Sequence, residues 1–220
     1  MTYHLEFGSL LPYWDVLARG LVFTILLTLA STAVGVGVGT AAASASTFGP
    51  VWLGRIVQVY VELIRNTPFI VQLFFIYFGL PALGLKMTET NAAFLAMVVN
   101  LGAYSAEIIR AGIEAVPKGH LEAGESLAMS RLEVLRHVVL RQAFAKVWPA
   151  LSSQIVIVML GSAVVSQISA EDLTYAANFI QSRNFRAFEV YVVSTVLYLL
   201  LAIAMRAALR LIGRRYIAVT

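Results

Sequence analysis

The 220-residue chain contains no cysteine, which excludes disulfides and thiolate chemistry outright. Its three histidines, His4, His120 and His137, are too scattered to suggest a metal site. Aspartate occurs only as Asp15 and Asp172, so the chain lacks the Asp-rich, Ser/His or His/Glu constellation that an intramembrane protease or lipid transferase would need. It also has no G-x-x-x-x-G-K-[ST] phosphate loop, so it cannot hold ATP in the way that powers uphill transport. Charge is scarce, at 13% of residues. The first fifteen residues carry no Lys or Arg, and the apolar run after them is too long for an h-region, so no cleaved signal peptide is expected. No catalytic, metal-ligating or cofactor-binding residue is assigned.

Apolar sequence dominates instead. Hydrophobic residues make up 60% of the chain and its mean hydropathy is +0.82, against an apolar share of roughly half in soluble domains. The chain therefore reads as an all-α integral membrane protein, a single transmembrane domain over 1–220. Crossings are predicted at 16–43, 56–83, 92–113, 148–169 and 187–212, each long enough for a hydrocarbon core of about 30 Å. Gly35, Gly37 and Gly39 near the end of the first run allow close helix approach. A nucleotide-loop reading of these glycines fails, because neither a preceding strand nor a phosphate-binding lysine accompanies them.

The formal net charge of +4 is read as a topology signal and not as a nucleic-acid footprint. With the N-terminus outside, the inner segments hold Arg55, Arg110, Lys118, Arg131, Arg136, Arg141, Lys146, Arg206, Arg210, Arg214 and Arg215. The outer ones hold only Arg19, Lys86, Arg183 and Arg186. The expected topology is N-out and C-in, with 114–147 a cytoplasmic loop between the third and fourth crossings. Within it, Pro117 and Gly119 are expected to break the helix leaving the membrane. Leu121, Gly124, Leu127 and Ala128 then space out a short amphipathic helix, with Glu122 and Glu125 in its first turn. Ser130 with Glu133 three residues on reads as a capping box opening a second amphipathic run, Leu132, Leu135, Val138 and Val139. On pattern alone, two solvated helices in an ordinary loop fit equally well.

Two stretches carry a family resemblance: AYSAEIIRAGIEAVPKGHLEAGESLAMS at 103–130 and VELIRNTPFIVQLFFIYFGLP at 61–81. In order on a five-crossing chain, they resemble the permease subunit of bacterial ABC importers for polar amino acids, the histidine/glutamine/arginine/opine group. The resemblance covers nearly the whole chain. It implies a type I ABC importer permease fold in the bacterial cytoplasmic (inner) membrane. It also implies a coupling helix at 117–131, formed by Gly119, His120, Glu122, Ala123, Gly124, Ser126, Leu127, Ala128 and Arg131, seated in a cytoplasmic ABC ATPase dimer. That ATPase would bind ATP and Mg, and a periplasmic solute-binding protein would deliver substrate. This chain would itself be no enzyme and carry no cofactor.

The family pattern is EAA, three residues, Gly, nine residues, then Ile-x-Leu-Pro. Here Gly124 replaces the second Ala, Ala128 replaces Gly, Val138 replaces Ile and Arg141 replaces Pro, while Glu122, Ala123 and Leu140 are kept. The Lys-Asp pair of many relatives is replaced by Leu160 and Gly161. These departures lead to the expectation of a second, non-identical permease as partner.

Ionisable groups inside a crossing cost about 2.5–3.5 kcal/mol on insertion scales and so face a cavity, a counter-charge or a helix end. Glu62 and Arg65 stand three apart and are expected either to neutralise each other or to form a gate with Arg110. Asn100, Tyr104 and Glu107 share one helix face and, with Gln72, are the expected substrate path. Arg110 is an i+3 partner for Glu107, which makes a local ion pair the plainer reading of that site. Phe74, Phe75, Tyr77 and Phe78 read as packing or lipid-facing surface. The rival function is a self-sufficient channel or secondary carrier for small solutes, but five crossings do not divide into two equal repeats.

Overall fold

A computed structural model of the chain describes residues 4–217, apart from the side chain of Glu125. The described residues hold helices and no strand. After a 3-10 turn at Phe7–Tyr13 come α1 (Trp14–Phe48), α2 (Val51–Arg65) and α3 (Phe69–Ala82, with a π turn at Phe75–Gly79). Then follow α4 (Glu89–Glu114), α5 (Lys118–Ser126) and α6 (Arg131–Ile168). Last come α7 (Leu173–Asn184) and α8 (Ala187–Ile217). By length and composition α1, α4, α6 and α8 can each cross a membrane, and α2 with α3 can make a fifth crossing.

Three sequence expectations are corrected. The run at 56–83 is not one helix: the chain bends by 109° between α2 and α3. Pro68 cannot donate to the helix ladder and pushes Thr67 out of the α region, and Asn66 closes α2 with its N–H on the Glu62 carbonyl at 3.1 Å. Next, α5 starts directly after Pro117, so Gly119 lies inside the first turn instead of breaking it, and Glu122 falls beyond that turn. Finally, the amphipathic run after Ser130 and the crossing predicted at 148–169 are not separate elements but one helix, α6, continuous through Pro149.

The chain divides into two units. One comprises Met1–Ser31, Phe69–Met97 and Ile157–Met205, the other Thr32–Pro68, Val98–Val156 and Arg206–Thr220. In the first, Leu17 packs with Leu173, Ala176, Ala177 and Ile180 of α7 and with Val190 of α8. Gly20 makes this possible, because a Cβ there would stand 2.8 Å from the Asp172 carbonyl oxygen. The Arg186 guanidinium donates to Glu6 at 2.7 Å and to the His4 carbonyl at 2.9 Å. The buried Glu189 accepts from the Glu6 N–H at 3.0 Å.

In the second unit the first run's glycines separate by face. Gly35 and Gly39 meet α4 at Leu101 and Ser105, whereas Gly37 faces open space. One core joins Ala43 of α1, Ile109 and Ile113 of α4, and Val116 to Val134, Leu135, Val139 and Ala143 of α6. Removing Val116, Val134, Leu135 and Val139, which lie outside the predicted crossings, from water stabilises by about 1.5–3 kcal/mol each. The segment after α4 is therefore packed structure and not a pair of solvated helices. The capping box is present: the Ser130 hydroxyl accepts from the Glu133 N–H, and the Glu133 carboxylate accepts from the Ser130 N–H at 2.7 Å.

Candidate functional site

The polar groups of the second unit gather around a cavity of about 910 Å³. Helix α2 supplies one wall, with Arg55, Gln58, Glu62 and Arg65 at i, i+3, i+7 and i+10 on one face. Helix α4 supplies the other through Tyr104, Glu107, Arg110 and Glu114. Tyr60 braces the walls, donating its hydroxyl to the Val99 carbonyl at 2.7 Å. Gly102 leaves room for that hydroxyl, since a Cβ would meet it at 2.7 Å.

The lining is zwitterionic: Arg55, Arg65 and Arg110 stand against Glu62, Glu107 and Glu114. Arg110 grips Glu107 through two bonds, Nη2 to Oε1 at 2.6 Å and Nε to Oε2 at 3.2 Å, and reaches Glu114 at 2.5 Å. Arg65 approaches Glu107 only to 3.9 Å and lies over the Tyr104 ring, 5.6 Å from its centroid. Such a contact adds cation–π attraction of about 0.5–1 kcal/mol at a partly exposed site. The expected Glu62–Arg65 pair is not formed. Glu62 instead takes the Gln58 amide at 2.9 Å, and Arg65 is drawn to the helix opposite. Arg65 is thus only loosely paired, with its side chain 42% exposed.

Of the expected substrate path, Tyr104 and Glu107 line the cavity. Asn100 does not, being buried on α4, and Gln72 is buried in the first unit. Asn66, beside Glu62 and Arg65 in the sequence, also lines the cavity, as do Arg55, Gln58 and Glu114, which sequence reasoning did not assign to it. For Arg55 and Gln58 the signal was the polar face of α2, which disappears once 56–83 is read as one apolar crossing.

In the hairpin after α4, Gly119, His120, Glu122, Ala123, Ser126, Leu127, Ala128 and Arg131 are exposed, and Leu127 is 77% accessible. Gly124 turns inward, where a Cβ would lie 2.8 Å from Val134 Cγ2. Within this chain it packs against α6. Ala128 has φ 56°, a left-handed conformation. The hairpin is tied to α6 by the Gln142 amide on His120 Nδ1 at 2.9 Å and by Lys146 donating to the Ala115 carbonyl.

Asp172 escaped the sequence reading. It caps α7, accepting from the Tyr175 N–H at 2.8 Å and from the Tyr198 hydroxyl at 2.9 Å. Burial outweighs these bonds and pushes its carboxyl up to about 6.

Over residues 14–218 the chain matches the family described as "Binding-protein-dependent transport system inner membrane component". It is 33% identical over 212 residues to the "Glutamine transport system permease protein GlnP" of Escherichia coli (strain K12), covering 96% of this chain and 97% of that protein. It is 34% identical over 204 residues to the "L-cystine transport system permease protein TcyB" of Bacillus subtilis (strain 168), covering 92% and 87%. A chain from the "Crystal structure of an amino acid ABC transporter with histidines" superposes with a TM-score of 0.86 at 35% identity, covering 97% of this chain and all of that one. A chain of the MetNI methionine ABC transporter superposes at 0.77 with 21% identity, covering 93% and 97%, and supports the fold alone.

Proposed function

Because the chain belongs to the family of binding-protein-dependent transport system inner membrane components, we propose that it is the translocating subunit of an ATP-driven importer of polar amino acids, with basic amino acids or opines within its range. The family match carries the proposal, since it runs through both the charged cavity and the hairpin. The protein is an all-α, multi-pass membrane permease with the type I importer fold. The finer reading adds an ATPase dimer that binds ATP and Mg and receives the exposed face of α5. It further adds a periplasmic solute-binding protein, a non-identical second permease, and insertion in the inner membrane with the N-terminus outside and the C-terminus in the cytoplasm.

The cavity suits a zwitterion. Arg65, held by Glu107 only at 3.9 Å, can turn to a substrate carboxylate, while Glu62 offers an anion to an ammonium. Glu107 itself is saturated by Arg110, and its part is to hold both guanidiniums in place. Glu107→Gln in the assembled complex is therefore expected to lower uptake of labelled amino acids at least about tenfold and to shift selectivity between cationic and neutral substrates. Unaltered uptake and selectivity in an assembled Glu107→Gln complex would sink this assignment.

A further inference from the structure

A second cavity, of about 440 Å³, opens where α8 leaves its apolar segment. Arg206, Arg210 and Arg214 stand four residues apart on α8 and line it, facing Trp148 and Pro149 of α6. All three arginines are exposed, and none has an ion-pair partner among the described residues. Three cations on one helix face without a carboxylate are costly to hold together unless an anion joins them. Ser152, on the same wall, has a hydroxyl without a hydrogen-bond partner.

The remaining lining is apolar. Trp148 donates its indole N–H to the Leu209 carbonyl at 3.0 Å, which fixes the ring as a wall. Gly213 permits that approach, because a Cβ there would clash with Trp148 Nε1 at 2.2 Å. Leu211 and Ile212 beside the arginines are exposed, and only 11% of the apolar window of α8 is covered by this chain.

We propose that this cavity is a binding site for an anionic phospholipid, its phosphate held by Arg206, Arg210 and Arg214 and its acyl chains laid against Trp148 and the apolar face of α8. An acidic protein surface would match the arginines but not the apolar walls. A headgroup with attached chains matches both, and tryptophan is at home at headgroup depth.

The test uses the full chain with its assembled partner subunits in bilayers. Trp14 and Trp52, both exposed, are replaced by Phe so that Trp148 reports. The signal of the further Trp148→Phe variant is subtracted. Quenching by dibrominated phosphatidylglycerol is compared with quenching by dibrominated phosphatidylcholine. At about fivefold per arginine near an anionic surface, phosphatidylglycerol should be preferred at least about tenfold. Arg206→Gln/Arg210→Gln/Arg214→Gln should reduce that preference to within about twofold, while Arg183→Gln/Arg215→Gln keeps it.

Equal quenching by the two lipids in the parent protein, or an undiminished preference in the triple variant, overturns the proposal. Displacement of the brominated lipid by millimolar inorganic phosphate overturns it in favour of a soluble-anion site. Efficient disulfide cross-linking of Leu211→Cys to another copy, readable because the chain has no cysteine of its own, overturns it in favour of a protein interface.

Discussion

Replacing Ala128 with Gly should tighten the end of α5, and the size of the effect follows from its backbone. Ala128 sits at φ 56°, where a Cβ crowds the following carbonyl at a cost of about 1–2 kcal/mol. It is forced there by the way α5 closes. The Met129 N–H reaches back to the Gly124 carbonyl at 3.1 Å, and the Leu127 N–H bonds the carbonyls of Ala123 and Gly124 at 3.2 and 3.1 Å. The bond from Met129 to Gly124 is the six-to-one closure that ends many helices on a left-handed residue, usually glycine. Glycine relieves the crowding but frees the unfolded chain, which offsets about 0.4–1 kcal/mol. The net gain is about 0–1.6 kcal/mol, centred at about 0.8 kcal/mol, a factor of about 4 in local opening. Amide hydrogen exchange of the reconstituted complex should show Leu127 and Met129 slowed by that factor in Ala128→Gly, with Tyr175 in α7 unchanged. Unchanged or faster exchange at Leu127 and Met129 would refute the claim that Ala128 is strained.

Gly39→Ala should cost about 1–3 kcal/mol, because its Cβ would lie 2.5 Å from Ser105 Cβ and 2.9 Å from the Ala106 nitrogen. Gly37→Ala should be neutral or stabilise by up to about 1 kcal/mol, as nothing lies within reach of its Cβ. Thermal melting of the two variants in detergent checks the contrast, and equal melting temperatures would contradict the packing of α1 on α4. Asp172, raised to about 6 from an unfolded value near 3.9, binds its proton more tightly in the folded state. Its contribution is therefore fully present below about pH 4 and lost as pH rises through about 6. Relative to Asp172→Asn, the parent protein should lose melting temperature between about pH 4 and 7, and parallel pH profiles would refute a buried, proton-holding carboxyl.

What could be read from the sequence was local. The long apolar runs are helices, and the Ser130–Glu133 capping box is formed as the three-residue spacing requires. The family signature at 61–81 and 103–130 agrees with the match over residues 14–218. What could not be read depends on partners distant in sequence. Spacing alone offered Arg65 to Glu62, but the fold carries it toward Glu107, 42 residues away, and over Tyr104. The polar face from Arg55 to Arg65 was present in the sequence, yet apolar neighbours masked it because hydropathy averages over a window longer than α2. The break at Pro68 had its own signal, a proline after a threonine, which the same averaging passed over. Asp172 and Glu189 are buried by packing that no short pattern announces.

The hairpin's construction bears on how a push at α5 would be transmitted. A solvated loop would absorb displacement, since each exposed backbone bond can be exchanged for water. This one is continuous with the core that holds Ile109 and Ile113 of α4 and Val134, Leu135 and Val139 of α6. The Gln142 bond fastens α5 to α6 through His120, and the Lys146 bond fastens the turn before α5 through the Ala115 carbonyl. Gly112 brings α4 and α6 so close that a Cβ would stand 2.7 Å from Val147 Cγ1 and 3.0 Å from the Ala143 carbonyl oxygen. A close-packed contact of this kind transmits strain because it has no slack. Displacement of α5 must therefore move the lower turns of α4, and Glu107, Arg110 and Glu114 sit on those turns. The same helix carries the bidentate bond that keeps Arg110 on Glu107 and leaves Arg65 at 3.9 Å. Because Glu107 and Arg110 ride on the same helix, a shift there would change the 3.9 Å separation of Glu107 from Arg65 on α2 more than the Arg110 bond. On the importer reading, this is where movement of the hairpin would change the hold on a substrate carboxylate.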